Sequence, residues 1–277
     1  MKGYPSKTAG SRSAMHDSWS GRLFLGTGEL AYVGPVGATA PHAHHAFQLL
    51  LSLDRPVSLR GAAADNAVDC QVAVIPPDVP HAFTEPSPSV LLLYVDPDGL
   101  VGRRLRRAVG SVRDATAWRL VGLPLLPVAP RAAPVTWADA QRLARACVEA
   151  LAGPDERPQV IHPAVLRAVR YVGVSLDDDV RLGTVAVHAG ISAGRLAHLF
   201  TQQVGLPLRP YAAWLRLQRA AAALRDGATL TEAAHHAGFT DGGHLTRIFR
   251  RMFGIRPSDI MGWAEWVLPE GHDVPPK

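Results

Sequence analysis

Apolar positions follow two regimes along this chain. From Arg22 to Val95 they come in short runs: Leu23 to Leu25, Leu30 to Val33, Phe47 to Leu53, Val57 to Arg60, Val72 to Ile75 and Val90 to Val95. Gly34-Pro35, Asp54-Arg55-Pro56, Gly61, Pro76-Pro77 and Pro86 punctuate them. Short runs between turn-forming residues predict strands, and their regular spacing predicts a small antiparallel barrel or sandwich. After Asp96-Pro97 the pattern becomes helical. Leu100 to Val109 carries Arg103, Arg104, Arg106 and Arg107, as a solvated helix face or an edge against the C-terminal part would. Leu120 to Val135 is Pro-rich and predicts irregular chain or one further short strand.

Thr136 to Leu151 predicts a helix opened by Thr136 and Asp139 in a capping-box arrangement and closed by Gly153-Pro154. Trp137, Ala140, Ala144, Cys147 and Leu151 recur three, four, three and four apart, a seam two heptads long. Such a seam serves either packing on the chain's own barrel or pairing with the same helix of a second subunit. Gly153 to Pro158 is a candidate linker, and His162 to Leu176 a helix with Val165, Leu166, Val169 and Val172 on one side. Asp177, Asp178 and Asp179 read as a solvated turn and cap rather than a metal site.

From Arg181 to Met261 one pattern is written twice. Leu182, Ala186, Gly190, Leu196, Phe200 and Gly205 make the first copy; Leu230, Ala234, Gly238, Leu245, Phe249 and Gly254 make the second. Each predicts a short amphipathic helix, a turn at a glycine free to take positive φ, and a second helix ending at glycine. Ser192 and Asp241 are placed to cap the second helices. Tyr211 to Leu224 lacks Gly and Pro and predicts one connecting helix of roughly 20 Å.

The 181 to 261 segment resembles the DNA-binding domain of the AraC/XylS transcription regulators. The match runs through G-I-S-x-x-x-L-x-x-L-F at 190 to 200, Tyr211 with Arg216 and Ala220, and G-F-x-D-x-x-x-L-x-R-x-F-R-R-x-F-G-x-x-P at 238 to 257. Pro207-Leu208 stands where the family commonly has Ser-Pro, and Ile260 where an aromatic is expected. The resemblance implies base-facing positions Gly194, Arg195, Ala197 and His198 in the first copy and Gly242, Gly243, His244 and Arg247 in the second. Ser192 adjoins the first set, and Arg209, Arg250 and Arg251 are candidate phosphate anchors. Arg195 and Arg247 can donate bidentately to guanine, and the histidines can donate or accept at a base edge. The glycines and alanine offer little, so phosphate contacts and DNA shape carry more of the selectivity. Implied partners are double-stranded DNA, a small-molecule effector, a second copy of the chain as homodimer, and RNA polymerase.

Charge agrees with that reading. Of a formal net charge of +5, the stretch 160 to 267 holds twelve Arg against eight acids, a surplus of four, and the chain's lysines are Lys2, Lys7 and Lys277. Basic balance concentrated there suits phosphate contacts. Cys70 and Cys147 form no metal or redox motif, the N-terminus lacks an apolar signal core, and no stretch reaches transmembrane length; the expectation is a cytoplasmic protein with no membrane partner.

Within the strand-rich region, His42, His44 and His45 precede a strand carrying Gln48, and His81 follows Pro76-Pro77-Asp78-Val79-Pro80. This is similar to the paired cupin motifs H-x-H-x-x-x-E and P-x-G-x-x-H, with Gln48 in the Glu place and Asp78 in the Gly place. His42, His44 and His81 would converge inside a barrel, where they and Gln48 bind a divalent metal, line an organic-ligand pocket, or remain as structural polar residues. The adjacent histidines also raise a pH response.

The fold expected is α+β: a disordered N-terminus (1–20), a cupin-like ligand-sensing domain (21–135), a dimerisation helix and linker (136–158), a DNA-binding domain with two helix-turn-helix motifs (159–267) and a tail (268–277). The function expected is a ligand-responsive transcription regulator, an activator in the family sense and not an enzyme. The alternative is a metal-dependent cupin enzyme with an accessory helical domain.

Overall fold

The computed structural model describes residues 19–61, 66–154, 160–178, 180–259 and 264–269. Nearly all of the expected disordered N-terminus, positions 155–158 of the linker, Asp179, Ile260 and positions 270–277 of the tail lie outside the described residues.

Among the described residues nine strands form two sheets. β1 (Arg22–Leu25), β2 (Glu29–Val36), β3 (Phe47–Ser52), β6 (Val72–Ile75), β8 (Ser87–Val95) and β9 (Glu265–Val267) make a six-stranded sheet in the order β6-β3-β8-β2-β1-β9. β4 (Val57–Gly61), β5 (Val68–Cys70) and β7 (His81–Phe83) make a smaller one in the order β5-β4-β7. Neighbours are antiparallel except β1 and β9, which run parallel. The three-residue strands β5 and β7 were too short for the apolar pattern to reveal.

Every residue of β3 is buried, because the larger sheet is covered on both faces. Leu50, Leu92, Ile75, Leu25 and Tyr32 face a core shared with Leu59 and Phe83 of the smaller sheet and with Trp118. Their strand neighbours Phe47, Leu49, Leu51, Leu91 and Leu93 face a helical layer. That layer consists of α1 (Leu100–Val109), a 3₁₀ segment (Leu123–Val128) and α3 (Trp137–Ala152), while α2 (Ala115–Gly122) supplies Trp118. The Pro-rich stretch after Leu120 thus finishes α2 and winds into 3₁₀ helix instead of a strand. Pro124 sits in the first turn of that segment, where the amide hydrogen has no helical partner, and Pro127 lies inside it.

α3 lays most of the seam on the chain's own sheet. Ala140, Ala144 and Cys147 are buried against this chain's own sheet layer, and Trp137 and Leu151 pack at its edge. Three of the seam's five residues thus pack within the chain itself. The Thr136–Asp139 box is reciprocal as expected, with the Asp139 amide donating to Thr136 Oγ1 at 3.2 Å and the Thr136 amide donating to Asp139 Oδ2 at 3.1 Å. Arg104 on α1 donates to the carbonyl of Pro154 at 2.7 Å and to that of Gly153, holding the end of α3.

The C-terminal part comprises α4 (Pro163–Val174), α5 (Leu182–Ala189), α6 (Ala193–Val204), α7 (Leu208–Arg225), α8 (Leu230–His236) and α9 (Gly242–Phe253). α4 turns Ala164, Val165, Ala168 and Val172 inward, while Leu166 is 51% exposed, contrary to the expected stripe. α7 is longer than expected, because Pro207 starts it one turn earlier. It buries Leu208, Tyr211, Trp214, Leu215, Leu217, Gln218, Ala220 and Ala221, so it touches neighbours on nearly every side. β9 was unforeseen: a strand from the end of the DNA-binding segment joins the barrel sheet beside β1, locked by Arg22 Nε donating to Glu265 Oε2 at 2.8 Å.

Candidate nucleic-acid interface and histidine junction

Each helix-turn-helix is set by local chemistry. In the first, α5 ends at Gly190 with φ 71°, and Ser192 Oγ accepts from the Arg195 amide at 3.4 Å to start α6. Leu196 and Phe200 are buried. Ser192, Gly194, Arg195 and His198 are exposed and Ala197 is half-buried on the opposite side. In the second, Thr229 and Glu232 form a reciprocal capping box at α8, a signal present in the T-x-x-E spacing but not used above. Gly238 takes φ 74°, and Asp241 Oδ1 accepts from the His244 amide at 2.7 Å to open α9. Leu245, Phe249 and Phe253 go inward. Gly243, Arg247, Arg250 and Arg251 are exposed, Gly242 and His244 are half-buried, and Arg209 is exposed in the first turn of α7. His244 is partly engaged already, edge-on to Phe239 at 5.4 Å with Nδ1 3.4 Å from Thr240 Oγ1.

α7 fixes both units to the barrel. Trp214 Nε1 donates to Asp96 Oδ2 at 2.8 Å inside the junction, and Gln218 Nε2 reaches Thr27 Oγ1 at 3.3 Å. Trp214 and Tyr94 of β8 both lie edge-on to Phe253, each at 5.7 Å. The sequence carried a faint signal for this: a Trp and a Gln four apart on a helix whose charged residues, Arg209, Arg216, Arg219 and Arg225, are all basic.

Both second helices also end on the barrel. After α6, the Gly205 carbonyl accepts from the Leu100 amide at 2.6 Å and Leu206 packs beside Gly28 and Gly99. At the end of α9, the Arg251 carbonyl accepts from the His45 amide at 2.6 Å. Gly254, with φ 76°, lies so close to His42 that an added Cβ would stand 2.6 Å from its Cδ2.

His42, His44 and His45 sit in the loop before β3, and an isolated bridge between His42 and His81 brings the start of β7 alongside. One ring nitrogen from each of His42, His44 and His81 falls within 4.8 Å of the others. Gln48 Oε1 lies 2.7 Å from His44 Nε2 and 3.1 Å from His81 Nε2. Burial pushes the His44 pKa down to about 4, pushes His81 well below its ordinary value and lowers His42, so the rings are neutral. His45 does not join them; its Nδ1 meets Asp78 Oδ2 at 2.8 Å and its Nε2 faces Asp98 at 3.7 Å. A surface depression lined by Arg55, Ser58, Asp69 and Glu85 shares none of these residues.

Known proteins share these features in part. A family model described as a helix-turn-helix domain matches residues 185–262. The transcriptional activator RhaS of Escherichia coli O157:H7 is 38% identical over 84 residues, 30% of either chain. The chain thus spans about 30% of the length of the curated relatives it matches. A probable AraC family transcriptional regulator from Rhodopseudomonas palustris, 31% identical, covers 38% of this chain and 99% of its own with a TM-score of 0.33. ToxT from Vibrio cholerae aligns over 86% of this chain and 98% of its own at 9% identity and a TM-score of 0.45. Residues 185–262 of the chain are therefore a helix-turn-helix domain.

Proposed function

We propose that the chain is a transcription regulator that binds double-stranded DNA sequence-specifically through α6 and α9, with the barrel as its sensing part. The observation that carries this is the pair of capped second helices, each with an arginine and a histidine turned away from its buried face, mounted on one rigid helix, α7. Arg195 and Arg247 are the base readers and Arg209, Arg250 and Arg251 the phosphate anchors. Ser192, Ala197, His198, His244 and the flanking glycines shape the approach to the groove. Activation, a cytoplasmic setting, and a homodimer meeting RNA polymerase at a promoter belong to the same proposal; no helix among the described residues is long and apolar enough to cross a membrane. The dimer would use a surface other than the α3 seam.

The enzyme reading has less support. His44 and His81 are 2% and 1% exposed, so a substrate would have to displace packed side chains to reach them. An organic effector meets the same obstacle at the histidines. Selection of bound duplexes from a random pool, followed by titration against salt, tests the proposal. One enriched motif, with affinity falling steeply as salt rises, is expected. Enrichment of nothing over the starting pool would overturn it.

A further inference from the structure

The helices α6 and α9 match in length and in caps, so one can be laid on the other residue by residue. Each has twelve residues; Ser192 and Asp241 open them, Gly205 and Gly254 close them at φ 96° and 76°, and buried Leu196 and Phe200 fall on buried Leu245 and Phe249. One constant offset in numbering joins all of these pairs. In that register the outward faces are unlike. α6 exposes Gly194, Arg195, His198 and Gln202; at the same four places α9 carries Gly243, His244, Arg247 and Arg251, exposed except for His244, which is half-buried. Arginine and histidine have changed places. Because Phe239 and Thr240 hold the His244 ring, Arg247 is the first long side chain that α9 presents freely, about one turn later than Arg195 on α6. That step displaces the guanidinium by about 4.5 Å along the axis, and base pairs are spaced about 3.4 Å apart, so the two arginines are out of register by about one base pair.

Gln202 shares a face with Arg195 and His198, because residues four and seven apart stand on one side of a helix. Its amide has no hydrogen-bond partner among the described residues, whereas the neighbouring Gln203 is engaged, its Oε1 accepting from the His162 amide at 2.8 Å. Arg251 occupies the matching place on α9, where a guanidinium suits a phosphate. A neutral amide gains little from phosphate charge, but its oxygen and nitrogen together match N6 and N7 of adenine.

We propose that Gln202 is a base reader alongside Arg195, and that the two helices read unlike subsites, so the preferred duplex is neither an exact direct repeat nor an exact palindrome. Guanine faces Arg195 near the start of α6, and adenine faces Gln202 about 10 Å further along, three base-pair steps away. The guanine facing Arg247 stands about one base pair from the place that a copy of the first subsite would give it. This holds whether the two helices lie parallel or antiparallel on the duplex, since the change of order is written within each helix. The inference rests on the DNA-binding reading and adds to it which bases the site contains and how they are spaced.

The test is selection from a random duplex pool by the full-length wild type and two variants. Wild type should prefer adenine at one position of the first subsite by about tenfold or more, and Gln202→Arg should exchange that adenine for guanine, a gain that a merely solvated glutamine does not predict. Arg195→His combined with His198→Arg keeps the composition of the helix. It should move the guanine of the first subsite by about one base pair, leave the second subsite where it was, and bind random duplex as wild type does. A wild-type motif whose subsites repeat exactly, or one that either variant reproduces unchanged, overturns the proposal and leaves the DNA-binding reading standing. A wild type that selects no motif overturns both.

Discussion

The two helix-turn-helix units share a sequence pattern, and the second helix of each ends with its last turn on the barrel, yet the barrel meets them with different chemistry. α6 finishes in an apolar notch, Leu206 against Gly28 and Gly99, with one backbone hydrogen bond from Leu100. α9 finishes on the histidine loop, with Gly254 against His42, the Arg251 carbonyl on His45, and Phe253 between Tyr94 and Trp214. The difference lies in what each last turn rests on, apolar side chains and glycines for α6 and the imidazole-bearing loop for α9.

Removing the pins breaks the comparison most severely. Phe253 is fully buried, and Phe253→Ala should cost about 3–5 kcal/mol in denaturant unfolding, with Leu206→Ala costing about 2–4 on the other side. Equal exchange of α6 and α9 amides in both variants would show that the barrel does not hold the units separately. Glycine substitutions sharpen the contrast at smaller scale. Gly254→Ala combines positive φ with collision against His42 and should cost about 2–3 kcal/mol, whereas Gly190→Ala, at similar φ and 3.5 Å from the nearest atom, Nη2 of Arg167, should cost about 1 kcal/mol by thermal unfolding. Indistinguishable values would mean that His42 yields freely and Gly254 is no contact of consequence.

The cysteines give the mildest check, Cys70 in the smaller sheet and Cys147 in the helical layer. Burial pushes the Cys70 thiol up to about 11 and the Cys147 thiol up to about 12. Neither should react with an alkylating reagent at pH 8 until the protein unfolds. Rapid labelling of Cys147 would show that α3 lifts off the sheet and frees its seam.

What was legible in the sequence was local. Caps at Ser192, Asp241 and Thr136, turns at Gly190 and Gly238 and the apolar periods of α6 and α9 are decided within a few residues, so the doubled unit emerged whole. The histidines and Gln48 were also legible as a cluster, since their spacing carries a known motif. Long-range pairing was not. Trp214 and Asp96 are 118 positions apart and Arg22 and Glu265 are 243 apart, and no periodicity announces such partners. The same limit hid β9, placed Leu166 wrongly and left the α3 seam undecided between two partners that present equally apolar surfaces. It also hid that the histidine cluster and the end of α9 are one place.

The most direct test is a footprint of wild-type protein beside Arg195→Ala and Arg247→Ala on its selected DNA site. Wild type should protect two successive major grooves on one face of the duplex, about one turn apart. Each variant should lose about 1–3 kcal/mol on that site and little on random DNA, and should open one patch, Arg195→Ala the first and Arg247→Ala the second. A single protected groove, or both variants weakening specific and random DNA alike, would contradict the account of two reading helices carried on one scaffold.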